Sequence, residues 1–314
     1  MVRLAFIFPG QGSQYVGMGK EVYDAFDSAR DVFVEADSIL GLPLSQLCFR
    51  GPEEELKLTQ NTQPAILTVS IAIARVLEER GVRPDYVAGH SLGEYSALVC
   101  AGALTFSDAV MLARKRGRYM QEAVGPGQGA MAAVLGLNLT KVQEACAEAS
   151  SVGFVAPANL NASDQIVIAG LADAVRKACE NATEKGATRV ISLAVSAPFH
   201  CELMAPARDR LTPELEAMDF RDLRIPLVNN ADAREIREGS SARDSLIRQI
   251  CAPVRWEESV QYMVQAGIES FVEVGPGKVL SGLVRRIVPR AQTGSADGIR
   301  GIEALASAFS GAKM

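Results

Sequence analysis

The stretch "YVAGHSLGEYSALVCAGAL", residues 86–104, decides the fold. Its pattern Gly-x-Ser-x-Gly, centred on Ser91, lies between an apolar run that predicts a strand over 86–89 and an alanine-rich run that predicts a helix around 94–101. The two glycines permit a sharp strand-to-helix turn, because a side chain would clash where the backbone doubles back. Ser91 is therefore a candidate nucleophile, and the N-terminus of the following helix favours developing negative charge beside it.

Buried strands and helices continue on both sides of this turn. "LAFIF" (4–8) is an apolar run stopped by Pro9 and Gly10, as in a strand of an α/β sheet. The tail after residue 290 is rich in Gly, Ala and Ser, and we expect it to be loosely held. The other predicted elements are helices over 64–80, 107–123 and 277–287 and strands over 224–230 and 270–275.

The segment between 125 and 197 follows a different order of elements. The break "GPGQG" (125–129) precedes strands and helices in the order β-α-β-β-α-β, which is the ferredoxin-like unit. We predict an inserted subdomain of about 70 residues, a size compatible with a small folding unit. Its predicted elements are strand 130–137, helix 139–149, a hairpin of 153–160 and 165–170, helix 171–185 and strand 188–195.

Composition excludes several classes of function. The 314 residues carry a net charge of −5, which gives no electrostatic reason to expect nucleic acid or a membrane as partner. Six scattered cysteines without a C-x-x-C pair, together with two histidines, argue against a metal site and indicate free thiols in a reducing compartment. No apolar run approaches the ~20 residues of a membrane span, and "VRLAFIFPG" is too strand-like for a signal peptide. We expect a cytoplasmic protein.

A serine nucleophile needs a base, and the chain offers His90 and His200. His90 adjoins Ser91 on an extended segment, where neighbouring side chains point to opposite faces, so we expect it to support the turn. His200 follows a strand and Pro198 and is the base by elimination. The acids Asp108, Asp164 and Asp173 could complete a triad, yet none stands at an obvious strand end, so a neutral group is the alternative partner of His200.

One arginine stands on the apolar face of the helix after the turn. At about 100° per residue, Arg116 falls in the middle of the apolar arc of 107–124, whereas Arg114, Lys115 and Arg118 fall outside it. A buried guanidinium needs a partner. An internal Asp or Glu could serve, and so could a substrate carboxylate held in a two-pronged clamp, such as that of a malonyl group. The arc comprises Ala109, Leu112, Ala113, Tyr119, Met120, Ala123 and Val124.

Several motifs together resemble the malonyl-CoA:acyl-carrier-protein transacylases of bacterial fatty acid synthesis, over essentially the whole chain. The resemblance implies an α/β fold with an α/β-hydrolase-like large subdomain (1–124 and 198–314) and an inserted ferredoxin-like subdomain (125–197). The motifs are "FPGQGSQ" (8–14), "TQPAI" (62–66), "GHSLGEYSAL" (89–98), "RKRGRYMQEA" (114–123), "NLNASDQIVIAG" (159–170), "FHCELM" (199–204), "VNNADA" (228–233) and "EVGPGKVLSGL" (273–283).

The resemblance also implies an activity. It is malonyl transfer from malonyl-CoA to the phosphopantetheine thiol of acyl carrier protein, by a ping-pong mechanism without a cofactor, supplying fatty acid or polyketide synthesis. Lys115 and Arg118 are candidate contacts for an acidic carrier protein. The implied site residues are Ser91 as nucleophile, His200 as base, Gln249 orienting His200 through its carbonyl, Gln11 and Leu92 as oxyanion donors, Arg116 binding the malonyl carboxylate, Gln63 lining the site and Phe199 crowding an α-methyl branch.

Three other readings compete with malonyl transfer. An esterase or thioesterase would use the same serine and base, although no triad acid is evident. A dinucleotide-binding protein is suggested by "GQGSQYVGMG" (10–19), but Tyr15 stands where the third glycine of that fingerprint belongs. A non-catalytic interaction domain is disfavoured by the joint presence of Ser91, His200 and Arg116.

Overall fold

A computed structural model describes residues 2–195 and 197–310 of the chain. Two sheets organise these residues, one of six strands and one of four. The strands are β1 (Leu4–Phe8), β2 (Tyr86–Gly89), β3 (Gly129–Leu135), β4 (Val155–Ala162), β5 (Gln165–Leu171), β6 (Arg189–Ser192), β7 (Leu227–Val228), β8 (Glu235–Ile236), β9 (Ser270–Val274) and β10 (Gln292–Ala296).

Helices cover most of the chain between the strands. Within residues 2–195 and 197–310, none of the helices has the length and hydropathy of a membrane span. The helices are α1 (Lys20–Ala25), α2 (Asp27–Leu40), α3 (Leu44–Arg50), α4 (Glu53–Lys57), α5 (Thr59–Glu79), α6 (Gly93–Ala101), α7 (Phe106–Glu122), α8 (Leu139–Ala149), α9 (Ala172–Glu184), α10 (Ala205–Glu216), α11 (Gly239–Gln249), α12 (Trp256–Gln265), α13 (Val279–Ile287) and α14 (Ile299–Ser310).

The larger sheet has the order β10-β9-β1-β2-β7-β8, and its pairs are parallel except for β7 with β8. Successive side chains of a strand point to opposite faces, and β1 is buried along its whole length. Leu4, Phe6 and Phe8 pack into the cluster that contains α2, α5, α6 and α7. Ala5 and Ile7 pack on the other face with α12 and α13. Both faces are therefore covered by helices, as in other parallel sheets.

The smaller sheet has the order β4-β5-β3-β6 and is antiparallel throughout. Helices α8 and α9 cover one of its faces. From the other face Met131, Ala133 and Val167 join the core of the larger sheet. The order of elements and strands is that of the ferredoxin-like unit, so the predicted fold class is confirmed. The boundaries at 125 and 197 stay a prediction.

The turn between β2 and α6 is as tight as the sequence predicts. A Cβ placed on Gly89 would lie 1.9 Å from the carbonyl carbon of Gly93, and one on Gly93 would lie 2.0 Å from the oxygen of Phe8. Ser91 itself has a φ of 53°, in the left-handed region that side chains rarely occupy. The two glycines thus let the helix start against β1 and hold the serine on a strained corner.

Most predicted elements are confirmed, with three differences. The strand predicted over 224–230 is limited to Leu227–Val228. The helix predicted over 64–80 begins earlier, at Thr59, so Pro64 lies inside it. The prediction that the tail after residue 290 is loosely held is wrong for residues 291–310. There β10 pairs with β9, and Ile302 of α14 is fully buried. Residues 311–314 lie outside the described residues.

Gly93→Ala is expected to lower the free energy of unfolding by about 3 kcal/mol or more, because its methyl group meets backbone that cannot move aside. Gly282→Ala is the matched control, since a Cβ there meets nothing within 4 Å inside α13. It should be neutral or stabilise by up to about 1 kcal/mol. Urea unfolding followed by circular dichroism measures both. Equal stability of Gly93→Ala and the natural protein would contradict this account of the turn.

Candidate active site

Ser91 lies on the turn after β2, and Asn230 braces that turn from the loop after β7. The backbone N–H of Ser91 donates to Asn230 Oδ1 at 2.7 Å, and Asn230 Nδ2 donates to the carbonyl of Gly89 at 2.6 Å. One buried amide therefore ties together the two sides of a strained corner. The sequence alone predicts no role for Asn230, although this residue stands inside the quoted motif "VNNADA".

The structure brings His200 to Ser91 across 109 positions of sequence. His200 Nε2 lies 2.7 Å from Ser91 Oγ, and His200 Nδ1 lies 2.9 Å from the backbone carbonyl oxygen of Gln249. A carbonyl oxygen can only accept, so Nδ1 carries the proton and the lone pair of Nε2 faces the serine hydroxyl. This arrangement can take a proton from Ser91 without an acidic partner.

The acids considered as triad members lie at the surface, away from His200. Each is paired with another side chain, and Nδ1 of His200 bonds the carbonyl of Gln249, so none of these acids orients the imidazole. The pairs are Asp108 with Thr105, Asp164 with Arg286, and Asp173 with Arg176.

Burial keeps His200 neutral. Its side chain is buried, and this desolvation, together with the positive charge of Arg116, lowers the pKa of His200 to about 3. Burial also lowers the pKa of His90. His90 Nε2 bonds Asn161 Oδ1 at 2.9 Å, and its ring lies 5.7 Å from that of Trp256. His90 thus packs beside the turn and makes no hydrogen bond to Ser91 in the described structure.

Arg116 is fully buried, as its helical phase predicts. Its Nη1 donates to Gln63 Oε1 at 2.8 Å, and its Nη2 donates to Gln249 Oε1 at 3.0 Å and to Ser91 Oγ at 3.1 Å. The guanidinium also lies 5.5 Å from the centre of the Tyr95 ring. Within the described residues no carboxylate comes within 4 Å of it, so neutral oxygens surround this cation.

A cavity of about 200 Å³ opens beside Ser91. Gln11, Leu92, Gln63 and Phe199 line it, whereas Arg116 and Gln249 are buried behind that lining. Among the described residues, the backbone N–H groups of Gln11 and Leu92 have no acceptor, so they are free to stabilise negative charge on a bound carbonyl oxygen.

Lys115 and Arg118 lie on the outer side of α7. Lys115 pairs with Glu214 at 2.6 Å, and Arg118 is exposed with its guanidinium 5.2 Å from the ring of Tyr119. Cys201 Sγ donates to the carbonyl of Pro198, and burial raises the pKa of its thiol to about 12. Cys201 is therefore not a nucleophile near neutral pH.

The chain belongs to the acyl transferase domain family, whose model matches residues 5–301. The malonyl CoA-acyl carrier protein transacylase of Bacillus subtilis (strain 168) is 50% identical over 294 residues, 93% of each chain. The family resemblance inferred from the motifs is confirmed.

Solved structures agree over the same length. A malonyl CoA-acyl carrier protein transacylase from Coxiella burnetii has a TM-score of 0.95 at 42% identity, covering 98% of this chain and 97% of its own. A malonyl-transacylase solved in complex with its type II PKS acyl-carrier protein has a TM-score of 0.95 at 43% identity, covering 98% and 99%.

The lowered pKa of His200 predicts an unusual pH profile for acylation of Ser91. The base is lost only as the pH falls toward its lowered pKa, so the acylation rate by p-nitrophenyl acetate should change less than about twofold between pH 7.5 and 5.5. A histidine of pKa 6.5 would lose about tenfold over that interval. Quenched-flow mass spectrometry of the acetyl-enzyme measures the rate, and a tenfold fall would contradict the lowered pKa.

Proposed function

We propose that this protein transfers the malonyl group of malonyl-CoA to the phosphopantetheine thiol of an acyl carrier protein, through a malonyl ester of Ser91. One observation carries the proposal: Ser91 Oγ lies between the free nitrogen of His200 and a buried arginine. Ser91 and His200 together are suited to nucleophilic acyl transfer, and Arg116 is suited to an acyl group that ends in a carboxylate.

In the first half-reaction Ser91 Oγ attacks the thioester carbonyl and forms the ester bond. His200 Nε2 takes the hydroxyl proton, and the carbonyl electrons move to an oxyanion held by the N–H groups of Gln11 and Leu92. Collapse of this intermediate breaks the carbon–sulfur bond. The CoA thiolate leaves and takes the proton from His200, so the enzyme is left as the malonyl ester.

The second half-reaction runs through the same groups. The phosphopantetheine thiol gives its proton to His200 Nε2 and its sulfur attacks the malonyl ester. The oxyanion forms again on the same two amides. When the ester bond breaks, Ser91 Oγ takes the proton back and malonyl-carrier protein is released.

Arg116 is proposed to bind the malonyl carboxylate. Its hydrogen bonds to Gln63, Gln249 and Ser91 use three of its five N–H groups and fix the plane of the guanidinium. A malonyl ester on Ser91 would carry its carboxylate toward the same guanidinium, where a planar fork binds it in a way that lysine cannot. Phe199, beside His200 on the cavity wall, is proposed to crowd an α-methyl branch.

The names of the relatives support the same donor and acceptor, since they are malonyl transacylases of acyl carrier proteins. We infer that the product supplies fatty acid or polyketide synthesis. We also propose residues 125–197 as a subdomain that forms one wall of the site, because Met131 and Val167 line the cavity. Cytoplasmic location is part of the proposal and rests on six free cysteines.

Arg116→Ala should lower kcat/KM for malonyl-CoA by about 100-fold more than it lowers kcat/KM for acetyl-CoA, because both donors need the hydrogen bond from Arg116 to Ser91 but only malonyl-CoA needs the charge-assisted clamp. Acetyl-CoA is the internal control, because it lacks the carboxylate. Arg118→Ala is the matched control on the exposed side of the same helix. Steady-state transfer to holo carrier protein measures both donors. An unchanged malonyl preference would exclude Arg116 as the clamp.

Ser91→Ala should abolish the covalent intermediate. The natural protein incubated with malonyl-CoA should gain the mass of one malonyl group and lose it when holo carrier protein is added. Intact-mass spectrometry follows both steps, and release of free malonate is measured in parallel. A malonyl adduct on Ser91→Ala would remove Ser91 as nucleophile. Fast release of malonate without an acceptor thiol would instead favour a thioesterase.

A further inference from the structure

Glu94 is a fully buried carboxylate that the proposed chemistry does not use. It lies in the first turn of α6, three residues after Ser91, in the buried part of that helix. Its Oε2 accepts from Gln249 Nε2 at 2.8 Å and from the backbone N–H of Asn230 at 3.0 Å, and its Oε1 accepts from Ser245 Oγ at 3.3 Å. Burial raises the pKa of Glu94 to about 7, and these donors oppose that rise.

The contacts of Gln249 admit only one orientation of its side-chain amide. Nε2 donates to Glu94 Oε2 and to the backbone oxygen of Ser91 at 3.1 Å, while Oε1 accepts from Arg116 Nη2. A flipped amide would set its N–H groups against those of the guanidinium and its oxygen against two other oxygens. The acceptor at Glu94 therefore determines that an oxygen faces Arg116.

The same geometry explains why Arg116 has no direct acidic partner. Glu94 is separated from the guanidinium by one amide, which accepts from the arginine and donates to the carboxylate. A carboxylate in direct contact with Arg116 would occupy the N–H groups that an incoming substrate carboxylate needs. An amide oxygen holds the guanidinium in place with a weaker, neutral contact.

We propose that Glu94 is a positioning residue: by accepting from Gln249 Nε2 it fixes the amide of Gln249, and through it the place of Arg116 beside Ser91. The inference deepens the proposed function and rests on it. It requires an accepting oxygen at the position of Glu94 Oε2, whether or not the side chain carries a charge.

Two conservative variants separate the hydrogen bond from the charge. Glu94→Gln removes the charge, but its amide oxygen still accepts from Gln249 and Asn230, and its Nε2 donates to the Ser245 hydroxyl. Glu94→Asp keeps the charge but withdraws the carboxylate by one methylene from Gln249. We expect Glu94→Asp to raise KM for malonyl-CoA about tenfold with a smaller change in kcat, and Glu94→Gln to stay within about threefold of the natural protein.

The readout is KM and kcat for malonyl-CoA, with acetyl-CoA measured alongside. Glu94→Asp should lose malonyl preference by about the same tenfold, because acetyl-CoA has no carboxylate for Arg116 to bind. Ser245→Ala is the matched control, since it removes a donor to Glu94 on the side away from Gln249. The melting temperature of each variant shows whether a loss of activity comes from unfolding of the protein.

The outcomes are distinct. A strong malonyl defect in Glu94→Gln with none in Glu94→Asp would overturn the proposal and assign the effect to charge. Equal losses with both donors, or no loss in either variant, would also overturn it and leave Glu94 a structural residue. Failure of the natural protein to load malonyl on Ser91 would reject the proposed function itself, before either variant is compared.

Discussion

The site depends on a guanidinium held inside the protein without a carboxylate against it. A buried charge is costly unless it is hydrogen-bonded, and the two terminal nitrogens of Arg116 meet that requirement with oxygens of Gln63, Gln249 and Ser91. Its Nε is buried without a partner among the described residues. Each of these accepting residues also has a second role in the site. Ser91 stands on the strained turn, Gln249 offers its backbone carbonyl to His200, and Gln63 lines the cavity. Fixing the cation therefore fixes the proposed nucleophile, Ser91, and the proposed base, His200.

The features that depend on local sequence patterns can be predicted from the sequence. A period near 3.6 residues places Arg116 on the buried side of α7, and the structure puts it there. The glycines of the turn follow from the clash that a Cβ would cause, and the ferredoxin-like order follows from alternating strands and helices. These signals are local, so neighbours in sequence are enough to read them.

The remaining parts depend on contacts between distant segments. Pro64 suggests a helix start, because proline cannot donate a hydrogen bond to the carbonyl four residues earlier. In the structure α5 nevertheless begins at Thr59, and Arg114 donates to the carbonyl of Gln60 that Pro64 leaves without a helical donor. Pairing of β10 with β9 likewise overrides the weak composition of the tail. Locally, the sequence shows only that Asn230 and Glu94 are polar residues within quoted motifs. Their roles depend on partners that lie more than 130 positions away.

A weak base suits transfer between thiols better than hydrolysis. An imidazole whose pKa is about 3 removes a proton readily only from an acidic donor, or from a donor whose developing negative charge is stabilised by another hydrogen bond. Thiols have pKa values near 8.5 and bulk water near 15.7, so the thiol gives up its proton far more easily. Ser91 is helped by Arg116, which donates to its Oγ, and an attacking water would lack that hydrogen bond. Burial and the positive charge of Arg116 lower the pKa of His200, and the neutral carbonyl of Gln249 opposes this less than a triad carboxylate would. The resulting weak base disfavours water as the acceptor while leaving the thiol step accessible.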